Sequence, residues 1–134
     1  MLRYEELTWE EIRDVNKDRV AILPVATIED HGPHLPINTD CVITQTLCEK
    51  VAGILHEDTI LLPTVSYGYS PHHEDFPGSL NIGYDTLIRY VVDIGKDLSK
   101  HGFRRLLLVN GHGSNAAPVE IAQKRINYET NGKI

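Results

Sequence analysis

A chain of 134 residues, 41% hydrophobic and 24% charged, has the size and make-up of one folding unit that buries a core without disulfides or structural metal. Its net charge of −6, with no lysine or arginine cluster, argues against a nucleic-acid or anionic-membrane surface. No apolar run approaches the roughly 20 residues that span a bilayer, and the opening MLRYEELTWEEIRD lacks a signal-peptide core, so a cytoplasmic location is expected.

In chain order, residues 19–26 (RVAILPVA) read as a first buried strand. Residues 41–55 read as a helix that Thr39 or Asp40 can cap. Cys41 and Cys48, the only cysteines, share one face of it. They read as buried thiols, because two helical turns separate their Cα atoms by about 10 Å, too far for a disulfide. Residues 59–66 (TILLPTVS) form a second apolar strand that Pro63 ends or bends. Residues 84–100 carry Leu87, Ile88, Val91, Ile94, Gly95 and Leu98 at helical spacing, with Gly102 as terminator. Residues 106–110 (LLLVN) are a third buried strand, and 116–128 a further helix ending at Asn131-Gly132.

Apolar strands alternating with helices of this length imply an α/β fold with a parallel sheet covered on both faces. Ligands of such sheets bind beyond the carboxyl ends of the strands. The chain stops at Lys133-Ile134, where a further strand would begin. Three strands leave an exposed edge, so either more protein follows or a partner covers it.

Three segments carry chemistry. Residues 27–40 (TIEDHGPHLPINTD) pack carboxylates and histidines into a loop rich in glycine and proline. Charge is costly there unless solvated or coordinated, and Glu, Asp and His together suit Zn²⁺, Mn²⁺ or Fe²⁺. Glu29 and His31 alternate along an extended segment and project to one side, and Asp40 at the helix start can fold back toward them and bridge two metals. A polar surface loop with a helix-capping Asp40 is the plain alternative. Residues 110–115 (NGHGSN) present His112 between two glycines directly after a strand; a strand-to-helix turn capped by Ser114 or Asn115 is the plain alternative there. Gly111-x-Gly113-x-x-Ala116 also fits a dinucleotide fingerprint, with Glu129 about 20 residues further on. That Rossmann-like reading leaves the first cluster unexplained. Residues 68–79 (GYSPHHEDFPGS) set polar groups beside aromatic ones.

Together the three segments resemble the creatininase (creatinine amidohydrolase) family. Residues 29–36 look like its Glu-x-His-Gly-Pro-His-Leu-Pro signature, followed by Thr39-Asp40. Residues 70–78 look like its Ser-x-x-His-x-x-Phe-Pro-Gly loop, and residues 110–115 like its Asn-Gly-His-Gly-x-Asn motif. The resemblance implies a three-layer α/β/α fold with a mostly parallel sheet, of which residues 1–134 form a single domain lacking the family's C-terminal part. It implies a hydrolase with one or two divalent ions per site, zinc first, with manganese or iron as alternatives. Glu29, His31, Asp40 and His112 match the metal ligands, with Asp40 the bridge. His73 is the candidate catalytic acid, and His34, Ser70, Ser114 and Asn115 are candidates for substrate binding or for orienting ligands. The creatininase pattern has a glutamate two residues after the His112 position, where this chain has Ser114; that disfavours creatinine as substrate. The later part of family members supplies further substrate-side residues, including a catalytic histidine.

The expected activity is hydrolysis of an amide-type C–N bond, with cyclic amides and formamides among the substrates, through metal-activated water. Expected partners are a small-molecule amide and further copies in a homo-oligomer. The rival expectation is an inactive or partial metal-binding chain that needs a complementing chain or C-terminal segment.

Overall fold

A computed structural model describes residues 1–134. Helix α1 (Trp9–Asp14) precedes strand β1 (Val20–Val25). Helix α2 (Thr39–Ile54), strand β2 (Thr59–Leu61), helix α3 (Tyr84–Lys100), strand β3 (Arg105–Asn110) and helix α4 (Ala116–Glu129) follow. The sheet order is β2-β1-β3 and every pairing is parallel. The earliest strand is therefore central, and the two long crossovers carry α2 and α3 to opposite faces.

The pleat of β1 divides the core. Ala21, Leu23 and Val25 join Leu87, Val91, Leu98, Phe103, Val119, Ala122 and Ile126 under α3 and α4. Ile22 turns the other way, onto Cys48, Ala52 and Leu61 beneath α2. This alternation is the three-layer arrangement expected of buried parallel strands. Helix α3 has the predicted bounds. Gly102 follows it at φ +94°, a conformation that costs glycine little.

Strand β2 is shorter than predicted, ending at Leu61 rather than Ser66. The N–H groups of Val20 and Ala26 bond toward the β2 side, to Asp58 and Val65. By the two-residue period, the nitrogen of Pro24 points the same way and has no hydrogen to give. Pro24 in the central strand and Pro63 beyond β2 thus face one gap in the ladder, and pairing resumes only at Val25↔Val65. Helix α2 also starts earlier than predicted, and neither expected cap acts as one. Asn38 holds the N-cap position without a side-chain bond. The Thr39 hydroxyl donates to Pro36 O (2.6 Å), and the Asp40 carboxylate is turned toward two histidines. Helix α1 was not anticipated. Thr8 and Glu11 close a capping box around its first turn.

The outer edge of β3 is unpaired. Leu107 on it is 47% exposed, and Ile43, Leu47 and Ile54 form an exposed apolar stripe along α2. Thr44 of α2 packs at Gly111, just past β3, whereas Glu49 bonds Arg3, which bridges to Leu61 on the β2 side. At about 100° per residue, the stripe lies beyond Thr44, on the β3 side. No helix is long and apolar enough to cross a membrane.

Candidate metal centre

The register of β1 and β3 builds the site. Val25 pairs with Asn110, so the loops that follow both strands leave the sheet side by side at its carboxyl end. The first loop folds on itself. The Glu29 N–H donates to Ile37 O (3.0 Å), the Gly32 N–H donates to Asp30 Oδ1 (3.1 Å), and Gly32 takes φ +71° at the turn. The second loop is clamped by Asn110, whose amide donates to His112 O (2.8 Å) and accepts from the His112 N–H (3.1 Å). Asp40 comes from the first turn of α2, where the helix dipole favours an anion.

These elements bring four side chains together. His31 Nε2 lies 3.0 Å from Asp40 Oδ1. His112 Nδ1 lies 3.1 Å from Asp40 Oδ2 and 3.1 Å from Glu29 Oε1. Donor atoms of Glu29, His31 and Asp40 all fall within 4.8 Å of one another, and His112 closes the group. Glu29 and Asp40 are 5% and 9% exposed, yet no lysine or arginine pairs with either. Two buried carboxylates without a basic partner call for another cation. Ligands around tetrahedral zinc stand about 3.3 Å apart, close to the spacing here, so the residues present fit a divalent ion. His31 Nδ1 faces Glu29 O (3.3 Å), which leaves Nε2 free as a ligand atom.

The family model for creatinine amidohydrolase matches residues 5–134. The chain belongs to the creatininase family. It is 36% identical over 114 residues to the mycofactocin precursor peptide peptidase of Mycolicibacterium smegmatis, covering 82% of this chain and 46% of that one. It is 34% identical over 134 residues to the creatinine amidohydrolase of Pseudomonas putida, covering 92% and 51%. A solved creatininase in its Mn form superposes with a TM-score of 0.89 at 32% identity, covering 97% of this chain and 52% of that one. A mutant creatininase of Zn-Zn type superposes equally well. The chain spans about half the length of the curated relatives it matches.

The remaining sequence candidates fall around this cluster unequally. Ser70 is 1% exposed and its hydroxyl donates to Glu29 Oε2. Asn115 is fully buried; its amide donates to Ala26 O (3.0 Å) and accepts from the Tyr69 N–H (2.8 Å). Ser114 is half-buried on the turn after His112, without a side-chain hydrogen bond. His73 Nδ1 stands 3.7 Å from Asp30 Oδ2, beside the cluster but bonded to none of the four. His34 is exposed and is not brought to any of them.

The dinucleotide reading fails on its own residues. Glu129 is held by Lys96 (2.8 Å) and Arg125 (2.7 Å) at the far end of α4. A Cβ on Gly113 would meet nothing. Gly111 is small for a local reason, because a Cβ there would overlap the Thr44 hydroxyl. Thr44 was not singled out in the sequence, although it donates to Asp40 O (2.6 Å) and packs the first turn of α2 under the His112 loop. Nothing distinguishes it locally from any other helical threonine.

Burial raises the thiol pKa of Cys41, outweighing the bond it makes toward Ser66 O. Its Sγ–H also donates to Thr27 O (3.3 Å). Its sulfur is not among the donor atoms that Glu29, His31 and Asp40 bring together. A cavity of about 680 Å³, lined by Tyr4, Trp9, Arg13 and Lys17 among others, lies by the amino ends of the strands, away from this chemistry.

Proposed function

We propose that this chain supplies the metal centre of an amide hydrolase, with Glu29, His31, Asp40 and His112 as ligands and Asp40 as the bridge. The observation that carries the reading is the division of the Asp40 carboxylate. Its Oδ2 faces His112, next to Glu29, and its Oδ1 faces His31. One side thus offers three protein donors and the other two. Ser114 stands where the creatininase pattern places a further carboxylate, so the second position is the weaker.

A divalent ion held by these donors supplies a Lewis acid for a carbonyl oxygen and makes water nucleophilic near neutral pH. The protein's own task is to fix the ligand atoms and to manage protons. Glu29 and Asp40 keep acceptor oxygens in a buried pocket, and His31 and His112 present one ring nitrogen each. The Gly111 and His112 N–H groups are spent on Val25 O and the Asn110 amide, which leaves the Gly113 and Ser114 N–H groups as donors for a developing oxyanion. His73, whose Nδ1 stands 3.7 Å from Asp30 Oδ2, is the candidate proton donor to the leaving nitrogen. The substrate is a small molecule with an amide-type C–N bond; the relatives' names span a creatinine amidohydrolase, a peptide peptidase and a formylamino-pyrimidine deformylase. The reading takes the enzyme as a cytoplasmic homo-oligomer with zinc as the first-choice ion, ahead of manganese and iron.

A second reading has its own observation. The open edge of β3 and the exposed apolar stripe on α2 suit a chain in which a complementing segment completes the site. The test is one preparation measured twice. Metal-stripped protein is titrated with Zn²⁺ and Mn²⁺ and assayed on a cyclic amide, a formamide and a peptide. Tight binding with turnover supports the hydrolase. Tight binding without turnover supports the partial chain. Absence of binding refutes both.

A further inference from the structure

The Glu29 carboxylate has two oxygens in different surroundings. Oε1 faces His112 Nδ1 at 3.1 Å, among the other ligand atoms, while Oε2 receives the hydroxyl proton of Ser70. Ser70 is 1% exposed, and its one proton is committed to that bond. Its place is fixed from both sides. The Ser70 N–H donates to Asn81 Oδ1 (2.7 Å). The Tyr69 N–H, one residue earlier, donates to Asn115 Oδ1 (2.8 Å). Asn115 uses its other amide group on Ala26 O (3.0 Å), tying the loop to the end of β1. Only glycine fits at position 68, because a Cβ would press on Ala26 O and come within 2.8 Å of the Asn115 amide. The segment Gly68–Ser70 is thus pinned between the end of β1 and the start of α4, with its one hydroxyl aimed at a ligand.

We propose that Ser70, pinned by Asn115 and Asn81, is a positioning residue that turns the Glu29 carboxylate so that one oxygen alone is offered to the metal. A rotating carboxylate spans one ion with both oxygens or swings away; a donor locked onto Oε2 removes both options. An outer hydrogen bond of this kind typically carries 10–100-fold in metal affinity. The inference rests on the metal-centre reading above. It also decides between two roles for Ser70, because a hydroxyl that served substrate would leave metal affinity untouched.

The experiment is a Zn²⁺ titration against a competing chromophoric chelator, without substrate, on the whole chain. The wild type, Ser70→Ala, Ser70→Thr and Asn81→Ala are compared, and the metal-free thermal midpoint of each is recorded. Ser70→Ala is expected to bind Zn²⁺ about 10–100-fold more weakly per folded molecule. Ser70→Thr, which keeps the hydroxyl, is expected to recover most of that loss. Asn81→Ala, an exposed change that frees the Ser70 backbone, is expected to lose less than Ser70→Ala. If Ser70→Ala fails to fold, Asn81→Ala carries the test alone. Wild-type affinity in the variant that is read overturns the positioning role and leaves the metal centre standing. A wild type that binds no Zn²⁺ overturns both.

Discussion

Under α3 and α4 the sheet buries a cluster of 15 hydrophobic residues, whereas under α2 it buries four. The first face has Phe103, Leu87, Val91 and Ile126, large side chains with no polar atoms. The second has Cys41, Thr44, Cys48 and Ala52, small or polar, with Asp40 at the helix start. The difference is a division of labour. Fixing Asp40 and the Gly111 turn requires α2 to lie close to β3, and small residues permit that approach. The outer flank of α2 stays apolar and exposed, next to the free edge of β3.

That comparison can be broken by substitution. Phe103→Ala on the thick face is expected to lower unfolding free energy by about 3–5 kcal/mol in urea titration. The folded fraction should still bind metal with wild-type affinity. A comparable loss of metal affinity would show that the faces are not separable. Next in size, Asp40→Asn removes the bridging charge and should weaken Zn²⁺ binding by more than the ~10–100-fold expected of an outer-shell change. His34→Ala, on the exposed loop, should match the wild type; equal retention by both variants argues against Asp40 as bridge. The thin face should show itself in alkali. Burial raises the Cys48 thiol above its ordinary 9.0, so the folded state holds its proton after the unfolded chain has lost it. That contribution is complete below the unfolded value and is lost as pH rises through the folded one. The thermal midpoint of the wild type should therefore fall more steeply above about pH 9 than that of Cys48→Ala. Smallest of all, Ile43→Lys with Leu47→Glu should change unfolding free energy by within about 0.5 kcal/mol while reducing self-association in sedimentation. A large stability loss would mean that the stripe is packed in this chain alone.

The legibility of the sequence follows how local each signal is. The bounds of α3 were readable because Leu87, Val91 and Leu98 repeat on one face and Gly102 closes it. β1 was readable as a short buried apolar run; β3 was readable as a strand but not as the buried one expected, because along the open edge of the sheet its residues are half-buried or exposed. β2 was overextended, since TILLPTVS is apolar throughout and only the opposing Pro24 shows where pairing must break. α1 is a single capped stretch too short for a periodic stripe, although the Thr8 to Glu11 box marks its start. Of the site, the four proposed ligands stand in motifs dense enough to read directly. Ser70 stood out only through resemblance, and Asn115 was otherwise legible only as a helix cap, a role its side chain does not take. Thr44 and Asn81 did not stand out at all, because each acts on a partner distant in sequence or on a backbone N–H that no pattern records.

The pairing of Val25 with Asn110 also sets when the centre can exist. Glu29 and His31 are neighbours from the start, but His112 reaches them only after a loop closure across most of the chain. Such closures carry an entropic cost that local contacts cannot repay, and parallel sheets of high contact order form slowly. A nascent chain released before β3 therefore holds three of the four proposed ligands and lacks His112, and refolding followed by metal uptake should report the docking of β3 onto β1 as a late event.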